Sequence, residues 1–247
     1  MPVPPIIHQT WKNNEVPAQW KKYVDKVKVL HPGWKYILWT DDDNNAFVKD
    51  EFPEFYPVFE AFPKNIMRAD VIRYLIMYKI GGLYLDMDYE MLKPFQYADK
   101  NLVLPYSRRI ALGNKWDLLG NCIFASALNH IFWKKIIDDL QKNPPLSDKY
   151  IDVEYATGPF FLTRIFFEGN YPDAFLPDRL VFHPQTPRTD MEYIKIIQNQ
   201  VSEGIHHVTG TWREKTIYSR TKNLLKRGLL VIKIRLQLIK KGGNIIS

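Results

Sequence analysis

The strongest constraint on the fold is an apolar helical pattern that passes through two glycines into an apolar strand. The helical pattern begins at Asn65, which we expect to be the N-cap, and continues to Ile76. It stops at Gly81-Gly82, because glycine relieves the strain of the left-handed backbone that ends many helices. A strand is expected over residues 83–87. This helix and strand form one step of a longer alternation.

The alternation continues on both sides of this unit. Strand patterns lie at 6–11, 36–39, 101–104, 121–125 and 180–182, and helical patterns at 17–30, 129–141 and 159–167. Such a rhythm predicts an α/β sandwich with a mostly parallel sheet. The 247 residues fit one large domain with a small appendage, which we divide into a main domain at 1–219 and a basic tail at 220–247.

Composition narrows the class of protein. The single cysteine, Cys122, leaves no internal disulfide and no cysteine cluster for zinc, which suits a reducing compartment. We see no targeting or membrane-spanning segment, and therefore expect a cytoplasmic protein. A net charge of +7 suits nucleic acid, anionic lipid or a phosphorylated small molecule. Nucleic acid is disfavoured, because no recognition helix or aromatic sheet motif accompanies the charge.

Two aspartates follow the strand at 83–87. Side chains alternate along a strand, so Tyr84, Asp86 and Asp88 are expected on one face. The two aspartate Cα atoms would then lie about 7 Å apart, which lets both carboxylates reach one divalent cation. Ligands bind at the carboxyl ends of strands in open α/β sheets. The alternative is that both aspartates are strand-end carboxylates in solvent.

The preceding helix carries charges among apolar residues. Arg68, Asp70 and Arg73 interrupt a surface of Ile, Met, Ala, Val, Leu and Tyr. Asp70 and Arg73 are three residues apart and share a face of the helix. They form either a surface ion pair of little energy or part of a diphosphate site.

Residues 65–74 and 81–88 together resemble the DXD sugar-binding region of glycosyltransferase family 32. That family includes initiating mannosyltransferases and bacterial surface-polysaccharide enzymes, and it is related to large glucosylating toxins. Residues 5–11 resemble its opening strand and 156–159 its Thr-Gly-Pro segment, so the resemblance covers most of residues 4–212. It implies a GT-A fold with a Rossmann-like sheet, one nucleotide-sugar site, Mn²⁺ or Mg²⁺ dependence, and transfer with retention of anomeric configuration.

The resemblance also implies roles for single residues. Trp11 would stack on the nucleotide base, with core packing as the alternative, and Asp70 and Arg73 would hold the donor sugar and phosphates. Asp86 would contact ribose and metal, and Asp88 would be the principal metal ligand. Asp70, Asp86 and Asp88 are thus the catalytic candidates. Further donor-binding candidates are Arg68, Gly82, Tyr84 and Trp212, and candidates near the sugar or acceptor are Asn121 and Glu154.

A histidine pair offers a third metal ligand. His207, three residues before Gly210, resembles the His-x-x-Gly pattern of related GT-A enzymes, in which the histidine completes the metal shell. Neighbouring residues on a strand face opposite ways, so only one of His206 and His207 is expected to bind, and we choose His207. A packed or solvent histidine is the alternative.

These features predict a metal-dependent retaining glycosyltransferase. The expected donor is a UDP-sugar, with GDP-mannose second, and the expected acceptor is a glycan or glycolipid, for example in surface polysaccharide synthesis. The alternative is a non-catalytic metal-dependent nucleotide- or carbohydrate-binding module. An apolar stripe among eight basic residues in the tail at 220–247 suggests peripheral contact with an anionic membrane, or equally a helix packed on the domain.

Overall fold

The computed structural model of the protein describes residues 2–111, 115–146 and 152–208. Strands and helices alternate along much of this part of the chain. The strands are β1 Ile6–Thr10, β2 Lys35–Trp39, β3 Gly82–Leu85, β4 Tyr89–Met91, β5 Leu102–Val103, β6 Tyr106–Ala111, β7 Lys115–Leu119, β8 Ile123–Ser126, β9 Ala174–Phe175 and β10 Gly204–His206. The helices are α1 Ala18–Leu30, α2 Asp41–Glu51, α3 Tyr56–Glu60, α4 Asn65–Lys79, α5 Ile131–Lys142, α6 Val153–Ala156, α7 Pro159–Glu168, α8 Arg179–Phe182 and α9 Asp190–Gln198.

Six strands form the central sheet in the order β2-β1-β3-β8-β5-β9. Strand β1 pairs in parallel with β2 and β3, and β5 pairs in parallel with β9. Among these described strands only β8 runs against the others, since it is antiparallel to both β3 and β5. The short pairs β4–β10 and β6–β7 are antiparallel and separate from this sheet. The predicted α/β fold with a mostly parallel sheet is confirmed.

Both faces of the sheet are covered. Tyr84 of β3 and Phe124 of β8 are buried in one apolar cluster with α4 and α5. Leu83 and Leu85 of β3 are buried in a second cluster, which includes Val27 of α1. The alternation predicted for β3 therefore separates two layers of the core, and burial of both faces explains why this strand is apolar along its length.

The two glycines before β3 have the backbone that the sequence predicts. Gly81 has φ +72° and Gly82 has φ +103°, in the left-handed region that favours glycine. A Cβ atom on Gly81 would lie 2.7 Å from the carbonyl oxygen of Ser126, and one on Gly82 would lie 2.6 Å from that of Ile6. The turn from α4 into β3 therefore has room only for glycine at both positions.

Two local predictions are wrong. The N-cap of α4 is Lys64, whose backbone is extended, whereas Asn65 is the first helical residue and its side chain accepts a hydrogen bond from Arg68. The strand predicted at 180–182 is the helix α8. The Asp178 carboxylate accepts a hydrogen bond of 2.8 Å from the backbone of Leu180 and so caps this helix. Three apolar residues are too few for periodicity to separate strand from helix.

The strand predicted over 83–87 ends earlier than expected, at Leu85. The backbone N–H of Asp86 still donates to the carbonyl of Cys122, the residue before β8, at 2.8 Å. The chain then turns, because the N–H of Tyr89 donates back to the Asp86 carbonyl at 3.0 Å. The aspartate pair therefore lies in a tight turn after β3, and not on the face of a strand.

Some predictions concern residues beyond this description. The tail at 220–247, the boundary at 219 and Trp212 lie outside the described residues, so the domain division and the membrane contact stay predictions. Within the described ranges, no helix combines the length and the apolar character that crossing a bilayer requires.

Candidate active site

The turn that carries the aspartate pair is bonded to three other parts of the chain. Besides the hydrogen bond from the Asp86 N–H to the Cys122 carbonyl, the carbonyl of Asp86 accepts a hydrogen bond of 3.1 Å from the side-chain amide of Gln9 in β1. The carbonyl of Asp88 accepts 3.0 Å from the backbone N–H of His207, directly after β10. Strands β1, β8 and β10 thus fix the backbone from which both carboxylates project.

Two buried side chains contact the Asp86 carboxylate and orient it. The Tyr84 hydroxyl donates to Oδ1 at 2.9 Å, and Nη1 of Arg73 lies 3.0 Å from the same oxygen. Burial raises the pKa of Asp86, and the positive charge of Arg73 acts against that rise. Tyr84, predicted to bind donor, is fully buried in the protein, and its hydroxyl orients Asp86.

Asp70 lies in a buried network beside Asp86. Its Oδ1 accepts a hydrogen bond of 3.0 Å from the side-chain amide of Asn121. Its Oδ2 accepts one of 2.9 Å from the hydroxyl of Thr157, in the predicted Thr-Gly-Pro segment. Arg73 lies 3.5 Å away, and the side chains of this pair are each only 6% exposed. The shared helix face is confirmed, but the surface ion pair considered as an alternative is wrong. Burial raises the pKa of Asp70 to about 6, against the opposing effect of Arg73.

A single guanidinium, that of Arg73, joins the two carboxylates. It also donates a hydrogen bond of 2.6 Å to the carbonyl of Asn121 and lies 4.8 Å from the centre of the Tyr84 ring. Arg73 is 5% exposed, so its position is set by packing and by these bonds together. It therefore fixes the separation of Asp70 and Asp86.

The histidine beside the aspartate pair is His206, and the choice of His207 is corrected. Nε2 of His206 lies 3.2 Å from Oδ1 of Asp88 and 4.0 Å from Oδ2 of Asp86. Strand β10 pairs with β4 so that His206 is opposite Tyr89. This register, and not the spacing to Gly210, decides which histidine faces the site.

His207 faces the other way, as the alternation of neighbouring side chains predicts. Its Nε2 lies 3.0 Å from Oε2 of Glu90, and its ring stacks on Tyr23 with centroids 4.6 Å apart. It lines a cavity of about 430 Å³ between α1, β4 and α9. Lys22, Lys26 and Arg188 line the same cavity.

The carboxylate of Glu90 in this cavity is fully engaged. Lys26 donates to it at 2.8 Å and Tyr193 at 2.7 Å, in addition to the contact with His207. Burial acts to raise the pKa of Glu90, but these donors outweigh it and lower the pKa to about 2. Among the described residues, neither Lys22 nor Arg188 forms an ion pair. Asp190 also lines the cavity, so its three cationic side chains outnumber its two carboxylates by one.

The residues of the cluster fit a divalent cation. Asp70, Asp86 and Asp88 bring three carboxylates to one edge of the sheet, and Arg73 pairs with Asp70 and Asp86. One donor atom each of Asp86, Cys122 and His206 lie within 4.8 Å of one another. Carboxylate oxygen and imidazole nitrogen suit Mn²⁺, and carboxylate oxygen suits Mg²⁺.

Three predicted site residues lie away from this cluster or at its margin. Arg68 donates a hydrogen bond of 3.0 Å to the carbonyl of Phe62, in the connection before α4. Gly82 begins β3, whereas the aspartates follow its end, so its role is close backbone packing. Trp11 follows β1 and packs edge-on against Trp20 with centroids 4.8 Å apart, and its buried indole N–H has no hydrogen-bond partner among the described residues.

Glu154, a candidate near the sugar or acceptor, is close to Asp70. It is 9% exposed, and its charge raises the pKa of Asp70, although burial is the larger cause. Asn121 is bound directly to Asp70, so both candidates lie beside the catalytic candidates.

Sequence reasoning missed Cys122 and His206 as members of the cluster. Cys122 is buried, with only 4% of its surface exposed. Its position at the site follows from β8 running antiparallel to β3, which brings the start of β8 to the end of β3. No local pattern in the sequence signals that reversal.

The chain is similar to known glycosyltransferases in sequence and in fold. Residues 17–109 match the glycosyltransferase sugar-binding region containing a DXD motif. Inositol phosphoceramide mannosyltransferase 2 of Schizosaccharomyces pombe is 38% identical over 164 residues, 65% of this chain and 45% of that protein. Inositol phosphoceramide mannosyltransferase 3 of the same yeast is 33% identical over 207 residues, 83% of this chain and 52% of that protein. Mannosyl phosphorylinositol ceramide synthase of Saccharomyces cerevisiae is 38% identical over 170 residues, 66% and 41% of the two chains.

The chain spans about half the length of the curated relatives it matches, between 45% and 52% for the inositol phosphoceramide mannosyltransferases. Among solved structures, the PaToxG glycosyltransferase superimposes with a TM-score of 0.50 at 16% identity, over 68% of this chain and 69% of that one. This likeness supports the GT-A-like fold alone.

Proposed function

Because the chain belongs to the family of glycosyltransferases with a DXD-containing sugar-binding region, we propose that it transfers mannose from GDP-mannose to the phosphoinositol head group of a glycolipid. The observation that carries the proposal is the convergence of Asp86, Asp88 and His206 at the sheet edge, inside a buried network that includes Asp70 and Arg73. The names of the relatives move GDP-mannose ahead of the UDP-sugars favoured from the sequence, and they suggest the acceptor.

Asp86, Asp88 and His206 are the residues that would hold Mn²⁺ or Mg²⁺ in this proposal. When bound there, the cation stabilises the charge of the departing nucleoside diphosphate. Tyr84 and Arg73 orient Asp86, so the carboxylate is preorganised before the donor arrives. Arg73 already contacts Asp70, Asp86 and the Asn121 carbonyl, so it acts mainly by positioning the two carboxylates.

Asp70 is proposed to hold the sugar. Each of its oxygens already accepts one hydrogen bond, from Asn121 or from Thr157. A carboxylate oxygen has two lone pairs, so each oxygen retains the capacity to accept from a sugar hydroxyl. Because the pKa of Asp70 is about 6, the group is mostly ionised at neutral pH and acts there as an acceptor.

The acceptor phosphate is proposed to bind in the cavity beside His207. Lys22 and Arg188 line it without forming an ion pair among the described residues, and the three cationic side chains of the lining outnumber the two carboxylates. The backbone of His207 bonds to Asp88, so the cavity begins one residue from the proposed metal site. A charged hydrogen bond contributes about 1.5–3 kcal/mol, so Lys22→Ala and Arg188→Ala should each raise KM for the lipid about tenfold or more.

The variant Lys49→Ala removes an exposed charge elsewhere and serves as the control for the cavity variants. A rise in KM for the nucleotide sugar instead of the lipid would move the cavity assignment to the donor diphosphate.

Donor screening tests the whole proposal. GDP-mannose, UDP-glucose and UDP-galactose are incubated with the full chain and Mn²⁺, with Mg²⁺ or with chelator, in the presence and absence of a phosphoinositol lipid. We expect Mn²⁺-dependent release of GDP and mannosylation of the lipid. Binding of a nucleotide sugar without any turnover would favour the non-catalytic module. Turnover only with a UDP-sugar would refute the mannose assignment.

Retention of anomeric configuration, base stacking by Trp11 and a cytoplasmic location with peripheral membrane contact stay predictions. The configuration of the product is read from the coupling constant of the new anomeric proton. Replacement of Trp11 by Leu should raise KM for the nucleotide sugar if the indole stacks on the base. If Trp11 is core, that change should instead lower the melting temperature and leave KM unaltered.

A further inference from the structure

Cys122 brings a thiol to the aspartate site. Its Sγ, a carboxylate oxygen of Asp86 and a ring nitrogen of His206 lie within 4.8 Å of one another. Cys122 directly precedes β8, and its carbonyl accepts the Asp86 N–H at 2.8 Å, so its backbone is fixed against the aspartate turn. It is the only cysteine among the 247 residues.

We propose that Cys122 is a ligand at this site and makes it a high-affinity site for thiophilic divalent cations, above all Zn²⁺. Zinc binds sulfur at about 2.3 Å and nitrogen or oxygen at about 2.0–2.2 Å, so its tetrahedral donors lie roughly 3.3–3.6 Å apart. Nε2 of His206 and Oδ1 of Asp88 already have such a separation, 3.2 Å. The thiol and Asp86, within 4.8 Å, need to approach by roughly 1 Å, which side-chain rotation can supply.

The surroundings of the thiol support this role. Nε2 of His183 lies 3.1 Å from Sγ of Cys122, as expected for an outer partner of a metal ligand. The His183 ring is fixed in turn, because a Cβ atom on Gly120 would lie only 2.7 Å from its Cε1. When a cation binds, the thiol gives its proton to solvent and the sulfur keeps its contact with His183.

This donor set differs from the one that the fold implies. Mn²⁺ and Mg²⁺ prefer oxygen and imidazole, whereas a thiolate selects Zn²⁺ and similar soft cations. Asp86, Cys122 and His206 would supply three donors to Zn²⁺, and Asp88, beside His206, would supply the fourth. The tetrahedral shell would then be filled, with no open position for a phosphate oxygen. Thiophilic cations would therefore occupy the site and inhibit it. The inference does not depend on which sugar or acceptor the protein uses.

Cobalt is the probe for the first test. The chelator-treated full chain is titrated with Co²⁺, and we expect a thiolate-to-cobalt charge-transfer band in the near ultraviolet. Because Cys122 is the only cysteine in the sequence, the band has one source. Cys122→Ser should bind Co²⁺ without the band. Its affinity for Zn²⁺, measured by competition with a chromophoric chelator, should fall at least about tenfold, and its affinity for Mn²⁺ should change less.

Thiol protection is the second test, and it needs no Cys122 variant. Zn²⁺ should slow alkylation of Cys122 in the natural chain, and His206→Ala should weaken that protection, whereas His207→Ala should not. Co²⁺ binding without a charge-transfer band, unchanged Zn²⁺ affinity in Cys122→Ser, or no protection by Zn²⁺ would each overturn the proposal. Failure of Co²⁺ and Zn²⁺ to bind at all would overturn it too.

Discussion

Replacement of Arg73 by methionine tests the buried charge network at the site. Methionine keeps much of the side-chain length but removes the guanidinium that faces Asp70 at 3.5 Å and Asp86 at 3.0 Å. Both carboxylates then lose their nearest positive charge. The Arg73→Met variant should therefore be destabilised, and Asp86 should lose the contact that orients it.

The burial of this ion pair sets how much stability Arg73→Met should lose. Removing one partner of a buried ion pair costs about 3–5 kcal/mol, because the remaining charge is left uncompensated. The Asp86 side chain is 25% exposed, so water screens part of its charge and we expect a loss near the lower end, about 3 kcal/mol. With an m-value of about 2.5 kcal/mol/M, the urea midpoint should fall by about 1.2 M.

Protonation of Asp70 adds a pH dependence to this loss. The pKa of Asp70 is already raised to about 6 by burial, against Arg73, and it should rise further once Arg73 is gone. The folded state then binds more protons than the unfolded state, so stability is lost as pH rises through the folded pKa. The deficit of Arg73→Met relative to the natural chain should be larger at pH 8 than at pH 6.

An exposed pair on α1 supplies the control for Arg73→Met. Lys21 and Asp25 lie 2.9 Å apart with side-chain exposures of 67% and 55%, and Lys21→Met should cost less than about 0.5 kcal/mol. Urea unfolding followed by circular dichroism measures both variants, and Asp70→Asn combined with Arg73→Met should recover part of the loss. Equal destabilisation by Lys21→Met and Arg73→Met, or a deficit that shrinks from pH 6 to pH 8, would refute the reasoning.

Three further predictions follow from the same geometry. Asp88→Asn should abolish Mn²⁺-dependent turnover and leave the urea midpoint nearly unchanged, and retained turnover at ordinary Mn²⁺ would contradict the ligand assignment. His206→Ala should raise the Mn²⁺ concentration for half-maximal activity roughly 10–100-fold, and His207→Ala should raise it far less. The reverse order would favour His207 as the metal ligand, as the sequence predicted. Burial lowers the pKa of His8 to about 4 from 6.5, so the folded state resists protonation and up to about 3 kcal/mol of stability is lost as pH falls from 6.5 to 4. His8→Asn should lose less between pH 7.5 and 4.5 in urea unfolding, and an equal loss would refute this assignment.

The sequence predicted the part of the fold that short-range periodicity determines. Helix α4 is long and apolar, and β3 is short and apolar. Between them, Gly81 and Gly82, the first residue of β3, have positive φ angles that no other residue would tolerate so readily. The hydrophobic period and the turn residues agree in this segment, so a helix followed by a strand could be predicted from the sequence. At 180–182 only three apolar residues were available, and the cap from Asp178 decided for a helix.

The site was predictable only as far as its residues are neighbours in sequence. Asp70 and Arg73 share a helix face, and that pairing could be read directly from their spacing. The choice between His206 and His207 depended on how β10 pairs with β4, more than a hundred residues away, and a shift of one residue exchanges the two faces. Cys122 depended in the same way on the antiparallel direction of β8.

The register of β10 does more than choose a metal ligand. One side chain of the adjacent pair, His206, contacts Asp88, while the other, His207, contacts Glu90 in the cavity proposed for the acceptor. The peptide N–H of His207 holds the Asp88 carbonyl at 3.0 Å, so the backbone between the two rings is bonded to the aspartate turn itself. A displacement of this short strand would move a proposed metal ligand and a wall of the cavity together. The proposed metal site and the proposed acceptor cavity therefore share the two-residue segment at the end of β10, where neighbouring side chains point in opposite directions.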